Sequence, residues 1–221
     1  MIRLTVLAVV AAASPASAMP PVSLDPSLKS QALDVVRCAQ RSGVGAGARS
    51  VTIIDYGRAS LEPRFWVVDI ATGAVEVEEY VAHGRNSGDN HATRFSNAAE
   101  SRQTSLGLFT TAETYVGSNG YSLRLDGHVP GVNDAARPRA IVMHGAAYVD
   151  PAAGAKQGRL GRSWGCPALR SAVARGVIDL IKGGNFVYAH HPDHDWVSDS
   201  PFGRCVTLAR IGQVGNARGA R

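Results

Sequence analysis

The chain has 221 residues, of which 45% are hydrophobic and 19% charged, with a formal net charge of +5. That length supports one domain with a full core, or one domain and a short appendage. After the first twenty residues nothing approaches the roughly 20 apolar residues a membrane span needs, which excludes stable membrane insertion. The arginines are scattered rather than clustered, so nucleic acid is a poor partner. The excess charge suits an anionic polymer or peptide carboxylates, or it is a generic basic surface.

In chain order, Arg3, the apolar run Leu4 to Ala13 and the small residues Ala16-Ser17-Ala18 read as a signal peptide over 1–18, cleaved near Ala18. The mature chain is then exported and, on this reading, periplasmic. Residues 19–48 form an N-terminal helix and connector. Asp25 is the N-cap, Pro26 the first helical residue, and Leu28, Ala32, Val35, Val36 and Ala39 one apolar side, with a stop at Gly43. Strands follow at Val51 to Tyr56, Phe65 to Ile70 and Ala74 to Ala82, the last two joined by an Ala71-Thr72-Gly73 hairpin turn.

From Gly84 to Gln103 the sequence is polar and aperiodic, a long loop of the kind that borders a functional cleft. Further strands are expected at Gly107 to Thr111, Ser122 to Leu125, Ala140 to His144 and Asn185 to His190, with a helix over Ser171 to Lys182. The main domain spans 49–212, and 213–221 reads as a flexible tail.

Of three cysteines in an oxidising compartment, one is left over if two pair. Cys38 and Cys205 are the candidate pair, and such a bridge is worth about 4–5 kcal/mol in the loop-entropy account. Two free thiols are the alternative. Cys166 stands in Gly161-Arg162-Ser163-Trp164-Gly165-Cys166-Pro167-Ala168-Leu169, downstream of His144-Gly145 at the end of an apolar run. Acyl transfer by cysteine needs an ionisable sulfur, a base within reach and donors for the oxyanion. Cys166, His144 and the amides around Gly165 and Cys166 can supply them, with Ser163 as a possible orienting group for the imidazole. Arg159, Arg162, Tyr148, Tyr121 and Trp164 are candidate substrate contacts. The bland readings are loop charges for the arginines, packed aromatics for the tyrosines and a cleft wall for the tryptophan.

These residues resemble a known active-site signature. His144-Gly145, Ser163-x-Gly165-Cys166 and Arg170, with Thr104-Ser105-Leu106-Gly107-Leu108-Phe109, are similar to the L,D-transpeptidase (YkuD-type) catalytic domain. Phe95-Ser96-Asn97, the segment Tyr115 to Leu123, His144-Gly145-Ala146-x-Tyr148-Val149 and the Ser-Trp-Gly-Cys-Pro run look like its murein branch. Trp164 stands where the broader family has histidine, and Pro167-Ala168-Leu169 replaces the usual residues after the cysteine.

The resemblance implies a mainly β fold, a YkuD-like mixed-sheet β-sandwich or cradle with an N-terminal helix and one or two short helices. It implies Cys166 as nucleophile, His144 as acid and base, Ser163 as a third member acting through its carbonyl, Gly165 in the oxyanion hole and Arg170 as a carboxylate clamp. Substrates are peptidoglycan stem peptides, carbapenems acylate the cysteine, and no metal or cofactor is required. L,D-carboxypeptidase action and a non-catalytic cell-wall binding module are the alternatives. The cluster His190-His191-Pro192-Asp193-His194-Asp195 invites a metal, but adjacent histidines on a strand face opposite ways and no ligand spacing appears, so a solvent-exposed turn is expected.

Overall fold

A computed structural model describes residues 23–219. The expected signal peptide lies outside the described residues. Helix α1 (Pro26–Arg41) begins as its sequence dictates: the Asp25 carboxylate accepts from the amides of Ser27 and Leu28, and Pro26 needs no partner for a missing N–H. Its apolar side is fully buried, with Ala32, Val35, Val36 and Ala39 at 0% exposure.

Eight strands form one mixed sheet, β1 (Ser50–Asp55), β2 (Phe65–Asp69), β3 (Val75–Glu79), β4 (Gly107–Gly117), β5 (Gly120–Gly127), β6 (Val142–Ala146), β7 (Ala168–Arg170) and β8 (Phe186–His190). Their spatial order is β3-β2-β1-β8-β4-β5-β6-β7. The expected mainly β, mixed-sheet fold is therefore what the chain adopts. Among these eight strands, β1–β8 and β6–β7 are the pairs that run parallel. The first joins distant parts of the chain through the core, and the second brings His144 opposite Ala168, two residues beyond Cys166.

The helices are more numerous than the sequence suggests. Besides α1 and α3 (Ser171–Ile181), the structure has α2 (Pro151–Gln157), α4 (Trp196–Asp199) and α5 (Gly203–Gly219). Helix α5 continues through the segment read as a tail. Its glycines hide any apolar periodicity, and its anchor to the body is tertiary: Val206 is buried and Cys205 is disulfide-bonded to Cys38 of α1, with Cα atoms 5.9 Å apart. The disulfide alternative thus holds, and Cys166 is the free cysteine among the described residues.

Strand β6 starts at Val142 rather than Ala140, because Ala140 has a positive φ of 53° and cannot sit in a ladder. Residues 84–103 form no helix or long strand, as expected, yet they are anchored. Gly84 bridges to Ser163, and Arg139 fastens the far end of the segment. No helix among the described residues is long and apolar enough to cross a membrane.

Candidate active site

The Ser163–Cys166 turn is built by its own side chain. The Ser163 hydroxyl accepts from the Gly165 amide at 3.0 Å and donates to the Cys166 carbonyl at 2.6 Å, closing a tight loop. Gly165 has φ 126°, a region that L side chains rarely enter, and a Cβ there would lie 2.8 Å from the Gln103 carbonyl oxygen. The loop is gripped from behind. The Ser163 amide donates to the His83 carbonyl at 3.0 Å, and the Ser163 carbonyl accepts from the Arg85 amide at 2.8 Å. Thr104 adds a side-chain bond from its hydroxyl to the Gly165 carbonyl at 3.3 Å.

His144 comes from β6, the neighbour of β7. Gly145 follows it because α3 packs directly on that strand: a Cβ at Gly145 would meet the Ala174 Cβ at 2.9 Å. The His144 Nδ1 lies 3.0 Å from the Gly145 carbonyl oxygen, which fixes the proton on Nδ1 and leaves Nε2 as the basic nitrogen. His144, Cys166, Ser163, Trp164, Tyr148 and Arg162 line one cavity of about 370 Å³, together with Ser118 and Asn119. Cys166 is 9% exposed, with its sulfur 3.5 Å from the Val142 amide and 3.7 Å from the Ala140 carbonyl oxygen. No hydrogen bond joins Cys166 to His144; the cavity is what they share.

Burial sets the charge state of this pair. It pushes the Cys166 thiol up, against the Val142 amide and the positive charge of Arg139, which pull it down. It pushes the His144 imidazole down, partly offset by the Gly145 carbonyl. Both shifts favour the uncharged forms, a thiol and an imidazole. Tyr148 is likewise held neutral, its phenol raised to about 12 chiefly by burial.

Several expected roles need correction. The Ser163 carbonyl accepts from the Arg85 amide, and the carbonyl that His144 Nδ1 faces in this structure is that of Gly145. The Gly165 amide is bound to the Ser163 hydroxyl and is not free for an oxyanion, whereas the Cys166 amide has no partner from another residue among the described residues. Arg170 is no carboxylate clamp for a ligand. It makes a two-pronged ion pair with the buried Glu79, at 2.6 and 2.7 Å, tying β7 to β3. Tyr121 points to α3, where its hydroxyl donates to Asp179 at 2.7 Å under the Arg175 guanidinium.

Arg162 lines the cavity with its head turned away, bound to the Gly88 carbonyl at 2.8 Å and to Asp89 at 2.9 Å. Arg159 faces the same Asp89 at 3.7 Å and lies outside the cavity lining. Tyr148 and Trp164 line the cavity, at 40% and 68% exposure. The expected exposed turn at 190–195 holds for residues 192–195, but His191 is buried against Phe95 of the long loop and His194, with ring centroids 5.2 and 5.3 Å away.

Three residues escape sequence reasoning. Ser118 and Asn119 form the β4–β5 turn, and the Asn119-Gly120 pair is the signal that could have placed it. Arg139, within Arg137-Pro138-Arg139, carries no local signal.

A family model of the L,D-transpeptidase catalytic domain (YkuD_2) matches residues 22–190, from α1 through β8. No curated protein matches the chain. Among solved structures, an L,D-transpeptidase from Mycobacterium smegmatis is similar at 16% identity with a TM-score of 0.40, covering 65% of this chain and 59% of that one. LdtMt1, an L,D-transpeptidase solved with imipenem, is 17% identical over 63% of this chain and 58% of its own, with a TM-score of 0.38. The helical cell shape determining protein Pgp2 from Campylobacter jejuni is 14% identical over 64% and 47%, with a TM-score of 0.41. The chain thus spans less than two thirds of each of these relatives. The match of the family model over most of the sequence is what decides, and by it this chain belongs to the L,D-transpeptidase catalytic domain family.

Proposed function

We propose that the protein is an exported, periplasmic cysteine acyltransferase that acts on peptidoglycan stem peptides and forms L,D crosslinks. The observation that carries this reading is that Cys166, the free cysteine, and His144, with Nε2 unprotonated, line one cavity in a chain of this family.

His144 Nε2 takes the thiol proton as the sulfur attacks the carbonyl at the L-centre of diaminopimelate in a tetrapeptide stem. The tetrahedral oxyanion is met by the Cys166 amide, which has no partner from another residue among the described residues. Collapse breaks the amide bond, His144 returns its proton to the departing D-alanine nitrogen, and a thioester remains on Cys166. A side-chain amine of a second stem then attacks the thioester. It gives a proton to His144, which passes it to the leaving sulfur. Tyr148 and Trp164 form the walls against which the stem lies. A carbapenem, strained at its own carbonyl, acylates the same sulfur.

The test is incubation of the purified protein with tetrapeptide muropeptides, read by mass spectrometry. A crosslinked dimer, lost in Cys166→Ala, is expected. Shortened monomer alone means that water resolves the thioester and the protein is an L,D-carboxypeptidase. No product, and no carbapenem mass on the folded, reduced protein, leaves a cell-wall binding module.

A further inference from the structure

We propose that the Cys38–Cys205 bridge is a thiol–disulfide exchange site: a dithiol opens it by attack on the Cys205 sulfur, and the Arg41 guanidinium holds the negative charge left on Cys38. Nothing in this depends on the chemistry at Cys166. It concerns the tie between α1 and α5.

The contacts are direct. Arg41 is the last residue of α1, three positions after Cys38 and on the same side of the helix. Its Nη2 lies 3.0 Å from the Cys38 sulfur and 2.9 Å from the Cys205 sulfur, so one nitrogen donates to both halves of the bridge. No carboxylate of the described residues lies within 4 Å of this guanidinium. A disulfide sulfur is an uncharged and weak acceptor, whereas a thiolate is an anion and makes a charge-assisted bond with the same donor. The contact therefore favours the opened bridge over the closed one.

The two sulfurs are unequal. Cys38 is 3% exposed, packed with the apolar side of α1, whereas Cys205 is half-buried near the start of α5. An incoming sulfur reaches Cys205, and Cys38 becomes the leaving group. By itself Cys38 is a poor place for an anion, because it is buried and stands in the last turn of a helix, at the negative end of the dipole. The other charges nearby do not supply the remedy. Asp34, one turn before Cys38, opposes a thiolate, and Arg37 and Arg210 are turned to that carboxylate at 3.6 and 3.8 Å. Arg41 is the cation in contact with the sulfurs.

The exchange balances without any group from the protein being consumed. The thiolate of the dithiol forms a bond to Cys205 Sγ, the Sγ–Sγ bond breaks, and its electron pair stays on Cys38 Sγ beside Arg41. The second thiol of the reagent then displaces Cys205, which takes up a proton. The dithiol leaves as its disulfide, oxidised by two electrons, and the bridge is reduced to two thiols. In the transition state the negative charge is spread over three sulfurs, two of which Arg41 already touches.

The experiment first traps the mixed disulfide with 2-mercaptoethanol, an uncharged monothiol, on the folded parent protein. After a quench with excess N-ethylmaleimide, trypsin releases Cys38 and Cys205 on separate peptides, ending at Arg41 and Arg210. The mixed disulfide is expected on Cys205 and the maleimide on Cys38; the reverse assignment overturns the proposal. Rates of reduction by dithiothreitol then test Arg41. In Arg41→Gln the rate is expected to fall about fivefold to tenfold, while Arg41→Lys, which keeps the charge, should stay within about threefold of the parent. A variant whose helices had merely come loose would expose the bridge and be reduced faster, so slower reduction separates the lost charge from a damaged fold. A rate in Arg41→Gln equal to the parent's or above it overturns the role of the guanidinium, as does an Arg41→Lys as slow as Arg41→Gln.

Discussion

Cys166 is approached from two sides that are built on opposite lines. In front lies the 370 Å³ cavity, where the side-chain hydrogen bond of His144 is to its neighbour's carbonyl and Trp164 is 68% exposed. Behind, residues 83–87 and 103–104 hold the motif through backbone amides and carbonyls braced by the short hydroxyls of Ser87 and Thr104. The Ser163 amide donates to the His83 carbonyl and its carbonyl accepts from the Arg85 amide, while Gly84 donates to the Thr104 hydroxyl and the Thr104 amide to the Ser87 hydroxyl. Backbone contacts tolerate no displacement, whereas loosely bonded side chains can reorganise around a ligand. The rear therefore fixes where the sulfur sits, and the front is left to deal with whatever enters.

The sharpest way to break this comparison is to change one group on each side. His144→Ala, in front, should lower turnover by about 10²- to 10⁴-fold while the melting temperature stays within a few degrees of the parent. Steady-state rates and calorimetry on one preparation check both halves. A large loss of stability would show that the front also holds the fold.

Arg64 is the corresponding residue behind. It is fully buried with no carboxylate of the described residues within 4 Å, and it binds the Val81 and Arg58 carbonyls and the His83 Nδ1. Arg64→Met leaves those acceptors without partners and should cost about 3 kcal/mol in denaturant unfolding. Turnover per folded molecule should fall far less than in His144→Ala. The reverse ranking would erase the distinction between the two sides.

How much of this was legible follows the same division. The thiol, the imidazole and the glycine stand in two short motifs, and their residue types are what the proposed chemistry was read from. The α1 cap, the Ala71–Gly73 turn and the long loop could be read because each depends on neighbours a few residues away. Helix α2 was equally local, opened by Asp150-Pro151 and closed by Gly158 at φ 76°, and its seven residues are simply too few to show a period. The rest is tertiary. Nothing near Arg170 reveals Glu79, 91 residues away, and nothing near Ser163 reveals that Arg85 occupies its carbonyl. The Gly165 amide differs, because its partner is the Ser163 hydroxyl two residues away.

The rear can also be loosened by acid. His83 is held neutral, its imidazole lowered to about 3, first by burial and then by the Arg64 guanidinium. Arg64 donates to Nδ1, so a proton added there faces a cation at 2.8 Å. The unfolded chain takes up that proton near pH 6.5 and the folded chain does not, so below 6.5 the unfolded state binds more protons. Stability should therefore fall steadily from pH 6.5 toward 3. Urea midpoints across that range in the parent and in His83→Gln measure it, and the variant should show the shallower slope. Equal slopes would remove His83 from the account.

The smallest effect belongs to the most exposed wall of the front. Trp164 lies between the two cavities, with Arg102 over its ring at 4.9 Å, and its exposure means that little core is lost when it is cut back. Trp164→Ala should change stability by less than about 0.5 kcal/mol. A flat apolar surface offered equally to bound stem and transition state contributes uniform binding, so KM should rise several-fold while kcat is unchanged. A fall in kcat at constant KM would mean instead that the indole acts only once the sulfur has begun to attack. Trp164 would then belong with the groups that hold the thiol in place, and the boundary between the two sides would run through the motif itself.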